Sequence, residues 1–135
     1  MREILFRGKR VDNGEWVYGY LSKSRLQGYE NNTLQPSIDR EESGVMITSV
    51  VITETVGQYT GLNDKNGVKI FEGDIVEYKN HIGKIVWHST TAEFDVSIRR
   101  KNNIYLFDYI GLYLPNRYLK IIGNIHDNPE SLEVE

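Results

Sequence analysis

The sequence predicts a mainly β fold, and three observations carry that prediction. Apolar residues come in short runs, the cleanest being Phe94-Asp95-Val96-Ser97-Ile98, where apolar and polar positions alternate as they do along a half-buried strand. The runs are separated by Asn-Gly pairs, single glycines and Ser/Thr/Asn clusters, the usual punctuation of hairpins. Residues 59–76, around which the chain is organised, space Gly61, Gly67 and Gly73 between polar clusters and apolar pairs, the composition of tight turns feeding strands.

Arg2-Glu3-Ile4-Leu5-Phe6-Arg7 reads as a first strand ending at Gly8. Asn13-Gly14 then suits a two-residue type I′ turn, because both central residues of that turn need positive φ. The second arm of this hairpin puts Trp16, Tyr18 and Tyr20 on one face and Val17 and Leu21 on the other. Gly19, between two tyrosines, marks a bulge or the close approach of a neighbouring strand. From Ser22 to Gly44 the pattern dissolves into polar residues broken by Pro36, so 23–44 is expected to be a loop. Within it, Asp39-Arg40-Glu41-Glu42 has at most one helical turn, since no apolar face repeats. Val45-Met46-Ile47 and Val50-Val51-Ile52 are two short β-rich runs.

Asn66-Gly67 predicts a hairpin turn, with the Asp64 carboxylate placed to accept backbone N–H groups. Gly73-Asp74 predicts a second turn, with glycine at a positive-φ site. In the strand that follows, period two makes Val76 and Tyr78 the core pair and groups Ile75 with Glu77 and Lys79. Further strands are expected at 84–88, at 94–98 with Phe94, Val96 and Ile98 inward, at 104–107 and at 119–125. Asn128-Pro129-Glu130 has the cap, proline and acid of a helix start, with room for a turn or two.

A chain of 135 residues suits one domain, and its 26% charged residues together with the absence of a long apolar run argue against a membrane span. No secretory leader is read at the N-terminus, so the cytoplasm is the expected location. With no cysteine, thiolate nucleophiles, thiolate metal sites and disulfides are excluded. A net charge of −3 disfavours general nucleic-acid binding while leaving room for a local basic patch.

The candidate chemistry is thin. Aligning Gly67 with the glycine of a calcium loop puts Leu62 and Gly73 where carboxylates are required, so that reading fails. No Gly-Lys-Ser/Thr follows the glycines, and His81, His88 and His126 lack ligand spacing. No cofactor, metal or catalytic set is expected, and the chain is read as non-enzymatic. A hydrolase would require a pocket joining His88 or His126 to acids. Two features point instead to binding. Arg99-Arg100-Lys101 forms a basic turn suited to phosphates or an acidic protein. Tyr105, Tyr109, Tyr113 and Tyr118, with Phe107, exceed what a small core needs and are candidates for a subunit interface.

The opening Arg2-Glu3-Ile4-Leu5-Phe6-Arg7-Gly8-Lys9-Arg10, the Asn13-Gly14-Glu15-Trp16-Val17-Tyr18-Gly19 hairpin, Thr55-Val56-Gly57-Gln58-Tyr59-Thr60-Gly61-Leu62 with its continuation to Asp74-Ile75-Val76, and Ile122-Gly123-Asn124-Ile125 before Asn128-Pro129-Glu130 together resemble the YopX family of bacteriophage and prophage proteins. Thr53 stands where the family pattern has proline. The resemblance implies a phage or prophage origin, action in the bacterial host cytoplasm and a homo-oligomer, and it supplies no catalytic residues. The strand succession after Gly73 also looks like that of small SH3-like barrels. The expectation is one YopX-like domain: an N-terminal hairpin lobe over 1–57 with the loop 23–44, an SH3-like barrel lobe over 58–135, and a short C-terminal helical turn. Its partners are expected to be itself and a host or phage macromolecule. The alternative is a nucleic-acid binder using the barrel face and the basic turn.

Overall fold

The computed structural model describes residues 3–25, 34–78, 80–99, 105–109 and 118–132. The fold is mainly β, built of antiparallel strands, with short 3₁₀ turns at Thr53–Thr55 and Pro129–Leu132. The chain forms two compact units, Met1–Tyr59 and Thr60–Glu135.

In the first unit, β1 (Phe6–Lys9), β2 (Trp16–Arg25), β3 (Leu34–Glu42), β4 (Val45–Val50) and the start of β5 (Gly57–Asn63) lie in the order β4-β3-β2-β1-β5. Val17, Ile38 and Val51 are buried together, with Phe6 and Val56 packed against them. Full burial of each such aliphatic side chain contributes roughly 1.5–3 kcal/mol. The predicted alternation along β2 is present, with Val17 buried and Tyr18 and Tyr20 exposed. Gly19 is where β3 comes closest. A Cβ there would lie 2.1 Å from the Asp39 carbonyl oxygen, so only glycine allows the β2–β3 register of Tyr20 against Asp39.

Three expectations for this unit are corrected. The β1–β2 hairpin exists, but its pairing stops at Lys9 with Trp16 and its connection is longer than two residues. Arg10 N donates to the Glu15 carbonyl, Gly14 N to the Arg10 carbonyl, and Asn13 Oδ1 accepts from Glu15 N at 2.9 Å. Gly14 alone takes positive φ, at 72°, and Asn13 acts through its side chain. The two-residue turn with both residues at positive φ is instead Ser43-Gly44, at 52° and 81°, between Glu42 and Val45.

The segment 23–44 is not a loop where it is described: 23–25 complete β2 and Leu34–Glu42 is β3, including the residues expected to make a helical turn. Backbone pairing to β2 and β4 holds β3 in place of an apolar stripe, and the Pro36 carbonyl accepts from Val51 N at 3.0 Å. Finally, the two runs at 45–47 and 50–52 become one strand, β4, followed by a bridge from Val51 to Arg10 and the 3₁₀ turn Thr53–Thr55.

In the second unit, the end of β5 pairs with β6 (Lys69–Phe71). β7 (Asp74–Tyr78), β8 (His81–His88), β9 (Glu93–Arg99), β10 (Tyr105–Tyr109) and β11 (Lys120–Asn124) form a sheet ordered β10-β9-β8-β7-β11. Ile70, Val76, Ile85, Val96, Ile98 and Leu119 form its core, with Tyr78, Phe94 and Ile121 against it. The inward set expected on β9 is therefore present. On β7 the period-two reading is only half right, because Ile75, grouped with the polar residues, is as fully buried as Val76. This strand is covered on both faces from Asp74 to Val76, while Glu77 beyond is exposed.

The glycine-rich stretch folds as turns. Asp64 N donates to the Val68 carbonyl and Gly67 N to the Asp64 carbonyl, with φ of 81° at Gly67. Gly61 takes φ of 90° inside β5, where Thr60 Oγ1 donates to the Ile70 carbonyl. Glu72 and Gly73 link β6 to β7; Gly73 has φ of 92°, and buried Asp74 accepts the Phe71 N–H through Oδ2 at 2.7 Å. The C-terminal helical turn is the 3₁₀ turn Pro129–Leu132. Asn128 precedes it, but its Oδ1 accepts from Asn124 N, and its carbonyl takes Ser131 N.

Candidate functional site

Asp64 shows what the conspicuous glycine stretch is for. The residue is buried, and its carboxylate accepts three backbone N–H groups: Oδ1 takes Asn66 and Val68 at 2.9 Å each, and Oδ2 takes Ile121 at 3.1 Å. Lys65 N adds a bond to the Leu119 carbonyl. Both oxygens are thereby engaged in tying the turn to the start of β11, so this carboxylate is a structural anchor.

The second polar cluster lies across β8 and β9. Register pairs Lys84 with Ser97, Val86 with Asp95 and His88 with Glu93, so these residues share the face opposite Ile85, Val96 and Ile98. His88 Nδ1 lies 2.8 Å from Thr91 Oγ1 and 3.4 Å from Asp95 Oδ2. Asp95 is fully buried, and neither carboxylate oxygen has a hydrogen-bond partner among the described residues. Burial pushes the Asp95 carboxyl above its ordinary range, against a smaller downward pull from His88. An acid joined to His88 is thus present, as a hydrolase reading would require. Of the other two histidines, His81 opens β8 and His126 follows β11. Among the described residues, no group of three His, Asp or Glu side chains is placed to hold a metal ion.

The predicted binding residues are only partly described. Arg99 ends β9 and pairs in register with Tyr105 of β10, while Tyr109 pairs with Asp95. Arg100, Lys101 and Tyr113 lie outside the described residues. Tyr118 is exposed, and its ring meets that of Tyr78 edge-on, with centroids 6.5 Å apart.

A third surface, on β1 and β2, was legible as a face but not as a site. Tyr18 is 46% and Tyr20 64% exposed. Opposite them on β1, Arg7 pairs with Tyr18 and Lys9 with Trp16. The Arg7 guanidinium carbon lies 4.6 Å, and Lys9 Nζ 5.7 Å, from the centroid of the Trp16 ring, both within the range of cation–π attraction. The signal in the sequence was the Arg7-Gly8-Lys9 spacing, which puts two cations on one face of a strand facing an aromatic one.

Comparison with known proteins adds a family. The model of the YopX protein family matches residues 5–133. No curated protein matches the chain. Among solved structures, the chain is similar to the crystal structure of protein EF1440 from Enterococcus faecalis, with 21% identity, 98% of this chain and 100% of that chain covered, and a TM-score of 0.48.

Proposed function

Because the chain belongs to the YopX family over residues 5–133, we propose that it is a non-enzymatic accessory protein of a bacteriophage or prophage, acting in the host cytoplasm by associating with itself and with a macromolecular partner. The observation that supports this best is the edge of the first unit's sheet. Among the described residues β4 has a strand neighbour on one side only, β3, and it reads Val45-Met46-Ile47-Thr48-Ser49-Val50, without a charge or a proline. Val45 is 61% and Met46 57% exposed. Edge strands that remain single are normally blunted by lysine, proline or a bulge, because their open N–H and C=O groups template pairing with another chain. At the end of β4 the Val50 carbonyl accepts from Val11 N. Such an edge suits strand addition by a second copy.

Light scattering across a range of protein concentrations tests the reading. A mass above that of one 15.6 kDa chain is expected, and it should fall toward the single chain when Met46→Lys and Thr48→Lys charge the edge. A monomer at every concentration removes self-association from the proposal.

A further inference from the structure

We infer that a second copy of this chain lays the far end of its β2–β3 hairpin, through Lys23, Arg25 and Leu34, on the Tyr20, Asp39 and Glu41 face of the first copy. The inference rests on the self-association in the proposed function and goes beyond it, because it names a contact that the β4 edge does not make. Strand lengths are its starting point. Pairing of β1 with β2 ends at Phe6 with Gly19, and pairing of β4 with β3 ends at Val50 with Ser37. Residues 23–25 and 34–36 run on past those ends and pair with each other as a two-stranded arm, tied at its root by the Val51 N–H on the Pro36 carbonyl. Two strands by themselves are marginal in water, so such an arm gains from a surface to lie on.

Alternation divides the charge between the two faces of this hairpin. Lys23 and Arg25 share one face of the arm, in register with Pro36 and Leu34, and both cations and Leu34 are exposed. The acids take the other face, nearer the body of the sheet. Asp39 stands opposite exposed Tyr20, and exposed Glu41 follows two residues on. The Thr48 hydroxyl donates to Asp39 Oδ1 at 2.7 Å and steadies that carboxylate. Each surface is the complement of the other: two cations beside an aliphatic side chain, against two carboxylates beside an aromatic ring on which a guanidinium can also sit. They lie on opposite faces and toward opposite ends of one hairpin, with Arg25 roughly 17 Å along the strand from Tyr20. One chain therefore cannot satisfy itself, and the contact runs head to tail, the arm of one copy on the face of the next.

Charge exchange tests this, read by light scattering at about 50 mM salt. Lys23→Glu/Arg25→Glu makes the arm acidic, and Asp39→Lys/Glu41→Lys makes the face basic. Each variant alone sets like charges together and should need at least about tenfold more protein than the wild type to reach the same mass. An equal mixture of the two puts an acidic arm on a basic face and a basic arm on an acidic one, so the wild-type mass should return. Raising the salt to about 500 mM should lower the mass of wild type and mixture alike. Native melting confirms that each variant is folded, and Glu41→Lys alone replaces the double face variant if that one melts early.

Variants that associate as the wild type does, or a mixture no heavier than its separate components, overturn the inference. Neither variant changes a β4 residue, so continued association of the wild type in that case leaves pairing at the β4 edge, and the proposed function, standing. A wild type that is a single chain at every concentration removes both.

Discussion

His88 Nδ1 lies 3.4 Å from Oδ2 of the fully buried Asp95 across two neighbouring strands. Burial of an acid without hydrogen-bond donors disfavours its charged form, and this is the largest influence on Asp95. The pair therefore links fold stability to proton binding.

The direction of the linkage follows from the raised carboxyl. Between the ordinary carboxylate pKa and the raised one, the folded chain holds a proton that the unfolded chain has released, so stability falls as pH rises through that window. Asp95→Asn removes the titration. Its thermal unfolding should lack this decline and exceed the wild type at neutral pH by about 1 kcal/mol, on the order of 4 °C in Tm. His88→Ala removes the downward pull and should carry the decline to higher pH. Identical pH profiles for wild type and Asp95→Asn would show that burial leaves this carboxyl unshifted.

Asp64 makes the opposite use of a buried carboxylate, since its charge is met by three backbone donors. Asp64→Ala orphans all three and should cost about 3 kcal/mol in urea unfolding. Asp64→Asn keeps an acceptor for Asn66 and Val68 but turns an amide donor toward the Ile121 N–H, so its cost should lie between wild type and alanine. Equal stability of the three proteins would mean that water replaces the carboxylate and the turn is not anchored by it.

Where the core lines one face of a strand, the sequence was readable: Val17 on β2 and Phe94, Val96 and Ile98 on β9 fall inward as alternation requires. It was unreadable where something other than alternation decides. β3 contributes one fully buried aliphatic residue, Ile38, and is held by pairing on both sides, so its polar sequence resembled a loop. The start of β7, Asp74 to Val76, is buried on both faces, which erases the period there. The Ser43-Gly44 turn carried a usable dipeptide signal, but it lay inside the presumed loop and Asn13-Gly14 drew the assignment. For the site, the local anchoring by Asp64 could be anticipated from turn chemistry. The meeting of His88 with Asp95 could not, because it depends on how β8 and β9 register.

Gly19 separates close packing from turn geometry. A Cβ there would fall 2.1 Å from a backbone oxygen of β3, far inside any tolerable contact, whereas one at Gly14 meets nothing within 4 Å. Gly19→Ala must push β2 from β3 and should cost several times the ~1 kcal/mol expected for Gly14→Ala, whose only penalty is its positive φ. Equal costs in denaturant unfolding would mean that the two strands relax apart freely.

Gly73 tests the turn between β6 and β7. Its φ of 92° lies where β-branched residues are strained, and its backbone is used on both sides: its N–H donates to the Ile85 carbonyl at 2.9 Å and its carbonyl accepts from Ile125 N at 2.9 Å. Relaxing the dihedral would break contacts to β8 and to the segment after β11, so the strain cannot be relieved locally. Gly73→Val should therefore destabilise by more than ~1 kcal/mol. Gly73→Asn should cost less, because asparagine tolerates the left-handed region better than valine does. Calorimetry on the two variants checks the order. Valine equal to asparagine would show that the dihedral is not what glycine supplies there.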